Sequence, residues 1–77
     1  MNEKSELDCY LFFMWNEWCK DICIAIFGKL MGNHIWSKWC HQCELYGNVG
    51  APAAIYSELD ADNRRLIVEK AINHYNK

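Results

Sequence analysis

Apolar residues recur at helical spacing through most of the chain, and no stretch alternates with period two for long enough to make a strand. Ser5 followed by Asp8 resembles a weak capping box, and Glu6 and Asp8 suit the positive end of a helix dipole, so a helix is predicted to begin there. On a wheel of about 100° per residue, Leu7, Leu11, Met14, Trp15, Trp18, Ile22 and Ala25 share one face, with Asn16, Glu17 and Lys20 opposite. Phe13 falls on the polar side, which predicts cover by a later segment of the chain or by a partner. Residues 5–27 contain neither Gly nor Pro, but Asn16 can end one helix, and the β-branched run Ile22 to Ile26 lowers helix propensity. Two helices with a bend between residues 16 and 20 are expected.

Gly28 and Gly32 bracket a connector, with Asn33 as the expected N-cap of the next helix. That helix, 33–46, carries the cleanest pattern. Ile35, Trp36, Trp39, Cys40, Cys43 and Tyr46 lie on one arc, His34, Ser37, Lys38, His41 and Glu44 on the other, and Gly47 follows as a natural terminator. Residues 48–52 read as a turn-rich linker, with Pro52 suited to the first position of a short helix over 53–59. Asp60 should cap a final helix to about Tyr75, burying Ile67, Val68, Ala71, Ile72 and Tyr75 and presenting Arg65, Glu69, Lys70, Asn73 and Lys77 to water. The predicted architecture is all-α: a compact bundle of four or five short helices forming a single helical domain over 1–77. Residues 33–46 are expected at its centre against the first helix.

Composition bears on whether so short a chain folds. A chain of 77 residues buries only about 60% of its unfolded surface, so its core is marginal unless unusually apolar, stapled or shared. Here 52% of residues are hydrophobic and 14% aromatic, which predicts a folded domain, as a single chain or a homodimer. A formal charge of -2 and a pI near 5.8 give no global attraction to nucleic acid or anionic membrane. The longest uninterrupted apolar run, Cys9 to Trp15, is too short to span a bilayer. Five cysteines and an acidic start at Glu3, Glu6 and Asp8 in place of a basic leader predict reduced thiols and a cytoplasmic location.

Two W-x-x-W-C blocks, Trp15 to Cys19 and Trp36 to Cys40, hold all four tryptophans, and Cys23 and Cys43 follow them. Cys19, Cys23, Cys40 and Cys43 are the candidate ligands of a structural zinc, which would make the chain a zinc-stapled helical adaptor. Aligned on their tryptophans, however, the blocks place Cys43 opposite Ile22. Cys43 therefore points into its apolar stripe and Cys23 off its own, and four sulfurs cannot converge unless the first segment bends. Small hydrophobic cysteines and four substantially buried tryptophans, with no cofactor, are the preferred expectation.

His34 and His41 share a polar face with no third ligand, and His74 suits a helix C-terminus. No phosphate loop, nucleophile elbow or metalloprotease signature is present, and Cys40 and His41 point about 100° apart, so no enzyme is expected. Arg64, Arg65, Lys70 and Lys77 form a basic strip that supports an alternative reading as a nucleic-acid-binding module. Asp60, Asp62 and Glu69 interrupt it and favour a solvated face.

Phe13, Leu45 and Leu66 sit off the assigned stripes, and the aromatic content exceeds what a core of this size readily hides. The chain resembles many small helical proteins of phages and mobile elements that act by occluding a larger host protein. The expected function is a non-enzymatic interaction protein that binds and occludes another protein, with Phe13, Arg64, Arg65 and Lys70 as candidate contact residues.

Overall fold

The computed structural model describes residues 5–76, and Lys77 of the predicted strip lies outside them. Four helices follow one another: α1 Glu6–Asn16, α2 Lys20–Phe27, α3 Lys29–Glu58 and α4 Ala61–Tyr75. The all-α bundle is thus the fold observed. Ser5 caps α1 by accepting from the Asp8 amide at 3.1 Å, and Asp60 caps α4 by accepting from the Asn63 amide at 2.9 Å. Between α1 and α2 the Phe13 carbonyl accepts from the amides of both Glu17 and Trp18, and the chain turns where the bend was expected.

The long helix α3 is two arms meeting at Gly47, whose φ of 74° and ψ of 175° are non-helical. Gly28, between α2 and α3, has nearly the same geometry, φ 86° and ψ 170°. This corner of the Ramachandran map is open almost only to glycine. The same device therefore turns the chain twice, at Phe27-Gly28-Lys29 and at Tyr46-Gly47-Asn48. A Cβ at Gly47 would meet nothing within 4 Å, so Gly47→Ala tests the backbone alone. Chemical denaturation should show a loss of about 1–3 kcal/mol, and an unchanged midpoint would rule out this geometry.

Two boundaries differ from expectation. The first arm begins at Lys29, because Gly28 already makes the corner, so Asn33 lies inside the helix and caps nothing. The segment 48–52 is helical, not a linker. Pro52 lies five residues beyond Gly47, early enough that its missing N–H costs the restarted helix a single bond near its start.

α2 folds back along the first arm of α3, while α1 packs on α4 and on the second arm. Residues 33–46 therefore lie chiefly against α2, not against the first helix. Gly32 makes the α2 contact close: a Cβ there would stand 2.7 Å from the Ile24 Cα. The Cys23 thiol donates to the Gly32 carbonyl at 3.2 Å across the same crossing. On the other side, the buried Tyr10 hydroxyl donates to the Pro52 carbonyl at 2.6 Å, and its ring meets Tyr56 edge-on at 4.9 Å. The buried residues join in one core that draws on all four helices.

The buried face of α1 is Cys9, Tyr10, Phe13 and Met14. It is rotated from the predicted stripe by roughly one residue, about 100° on the wheel. Residues 9–15 are apolar all round, so periodicity leaves the buried face undetermined, and the positions of α4 and the second arm decide it. α4 matches its predicted stripe, with Ile67, Val68 and Ala71 buried and Ile72 and Tyr75 packed against the core.

Candidate functional site

Phe13 is not a surface residue. Only 1% of it is exposed, and the His74 ring of α4 packs against it at 5.8 Å. The later segment that explains its place on the polar side is α4. Arg64 and Arg65 are engaged within the fold. The Arg64 guanidinium donates through Nε to the Tyr56 carbonyl at 2.7 Å and lies 5.0 Å from the Tyr56 ring centre, tying α4 to the second arm. Arg65 pairs with Glu69 at 3.1 Å and with Glu6 of α1 at 3.2 Å. The Glu69 hydrogen bond, then the Glu6 charge, raises its pKa further. Lys70 is exposed. The basic strip thus has two of its cations committed to holding helices together.

The four cysteines do not gather. Cys23 is wholly buried against Gly32, Cys43 is half-buried, and Cys19 and Cys40 are exposed. Among the described residues no group of three His, Cys, Asp or Glu side chains is placed to hold a metal ion. Cys23, expected off its stripe, is buried because α2 turns that side toward the first arm. Burial, with Cys19 adding, pushes its thiol up to about 11. Burial, with Cys40 adding, also raises Cys43, which keeps it a thiol and a poor nucleophile.

Burial raises the Tyr10 phenol well above its usual range too, with Tyr56 adding. Both Cys23 and Tyr10 favour their neutral forms in the folded state. The contribution of Cys23 is intact below pH about 9 and is lost as pH rises through about 11, while that of Tyr10 persists to higher pH. Urea midpoints should therefore fall between neutral and strongly alkaline buffer, with Cys23 contributing about 2 kcal/mol of the loss. Cys23→Ala should show a smaller pH dependence; an equal one would exclude Cys23 as a source.

The tryptophans divide. Trp18, Trp36 and Trp39 stack as a trio with ring centres 6.2 to 6.5 Å apart, filling the space between the α1–α2 bend and the first arm. Trp39 is buried and the other two are half-buried, but Trp15 is 44% exposed, contrary to the expectation of burial. Its indole N–H donates to the Val49 carbonyl at 3.4 Å, and its ring meets Phe12 edge-on at 6.1 Å. Phe12 in turn meets Tyr75 at 6.5 Å. Val49 is 80% exposed. Phe12, Trp15 and Val49 thus form a continuous apolar ridge running from α1 to the start of the second arm.

Beside the ridge lies an open groove of about 500 Å³ between the two arms, lined by Gln42, Tyr46, Gly50, Ala53, Ala54, Ser57 and Glu58. Gln42, Ser57 and Glu58 are already engaged within the fold. Gln42, buried, donates to Glu58, Lys38 pairs with Glu58 at 3.6 Å, and the Ser57 hydroxyl donates to the Ala53 carbonyl at 3.2 Å. Walls of glycine, alanine and a tied-back serine offer shape and no reactive constellation.

The sequence held a clue to the ridge: seven apolar residues in a row wrap the whole circumference of a helix, and a chain of 77 residues has few elements with which to cover every side. Which of them stays outside depends on α4 and the second arm. No helix among the described residues is long and apolar enough to cross a membrane. No protein-family model, no curated protein and no solved structure matches the chain.

Proposed function

We propose that this protein acts by contact: it binds another protein through the ridge of Phe12, Trp15 and Val49 and blocks it sterically, without catalysing a reaction. The observation that carries this reading is an exposed tryptophan held in place. Trp15 keeps 44% of its surface in water while its N–H is fixed to Val49 and its edge to Phe12. Tryptophan is the residue type most often found at the energetic centre of interfaces, and a side chain already immobilised loses little entropy on binding. Apolar neighbours on both sides extend the contact. Arg64 and Arg65, bound within the fold, are read as structural, and Lys70 stays outside the proposed surface.

A photo-crosslinking residue placed at Val49, compared with one at Leu30, tests the proposal in the native host. Leu30 is 90% exposed and lies at the far end of the first arm. A larger protein captured in stoichiometric amount from Val49 and not from Leu30 is the expected result. Equal patterns from both positions would remove the ridge as the contact surface.

A further inference from the structure

We infer that, in the absence of its target, the ridge is covered by a second copy of this chain, through a two-fold contact in which each ridge enters the other copy's groove. This rests on the reading of the ridge as a protein-contact surface. Ridge and groove lie side by side: Val49 and Ala53 are one turn apart on the second arm, Val49 forming the ridge and Ala53 the groove wall. A two-fold axis along that edge brings the aromatic ridge of each copy over the small residues of the other. Such isologous pairing is the commonest route to a closed dimer. Ala53 and Ala54 are small enough to admit a bulky ring of the partner copy, while the space beside Gly50 is taken by the Tyr46 side chain.

The area is sufficient. Phe12, Trp15, Tyr46 and Val49 are 40%, 44%, 61% and 80% exposed, and together they hold roughly 400 Å² in water per copy. With the groove walls, two copies remove on the order of 1,000 Å², the lower bound for a specific dimer. Charge does not oppose it. The four side chains are uncharged, the groove's Glu58 is neutralised by Lys38, and each copy carries a formal charge of only -2. An area at the lower bound predicts a reversible dimer that a target can displace.

Light scattering on the full chain, from about 10 µM to about 1 mM, tests this. The expected result is a mass rising with concentration toward twice 9.1 kDa. Trp15→Glu on the ridge and Ala53→Arg in the groove should each hold the protein at one chain while leaving its helical circular dichroism unchanged. Leu30→Glu, remote from the face, should leave the dimer intact. A wild type that stays monomeric throughout overturns the inference, as does a dimer that survives both face substitutions. Monomeric protein that still crosslinks its target from Val49 would overturn the dimer alone and leave the contact-surface reading standing.

Discussion

Phe13→Ala should destabilise the protein by about 3–5 kcal/mol, the usual cost of emptying a buried aromatic site. A domain of 77 residues has only about 4–12 kcal/mol in total, so this single change removes a large share of it. The Phe13 ring packs against His74, and its carbonyl accepts both amides that end α1. Its loss therefore loosens the contact with α4 near the bend into α2. Trp15→Ala, two residues away and on the exposed side, should cost about 1 kcal/mol through one long hydrogen bond and partial packing. Urea denaturation of the two variants makes the comparison. Should Phe13→Ala fold as stably as the wild type, the described orientation of α1 would be wrong.

Gly32→Val is expected to cost about 3 kcal/mol or more, and Gly32→Ala about 1–3 kcal/mol, although alanine by itself favours a helix by about 1 kcal/mol. The sign follows from what the new Cβ meets. Its nearest neighbour is the Ile24 Cα at 2.7 Å, which is backbone and cannot rotate away. The carbonyl of Cys23 at 3.2 Å is backbone as well. α2 must therefore move off the first arm, and with it goes the thiol hydrogen bond from Cys23 to Gly32. The tryptophan trio joins the first arm to Trp18, two residues before α2 begins, so the near-ultraviolet dichroism of Trp18, Trp36 and Trp39 should weaken along with stability. Gly32→Ala as stable as the wild type, with full aromatic dichroism, would mean that the helices cross at a greater distance.

These two residues mark the border between what is local and what is not. Gly32 was legible as a break and proved to be a packing contact inside a continuous helix. Phe13 was visible as an anomaly, apolar on a polar face, and local sequence could not say whether α4 or a partner covered it. The candidate site was legible only as a surplus of aromatic residues. The basic strip was legible as charge, but an arginine's partner 59 residues away, such as Glu6 for Arg65, leaves no periodic signal.

By itself the sequence determined much of the helical punctuation, though not the Asn33 start or the helical state of residues 48–52: the Ser5 and Asp60 caps, the break after Asn16, the chain breaks at Gly28 and Gly47, and the buried stripe of α4. Each depends on side chain to backbone bonds within three residues, on one residue's backbone freedom, or on an unambiguous apolar period. Only the tertiary structure decided which side of α1 is core, that Cys23 lies inside, and that Trp15 stays in water with Phe12 and Val49. The reason is that an apolar run wrapping a whole helix is compatible with several burial faces of similar transfer energy. The choice among them belongs to the helices that pack against it.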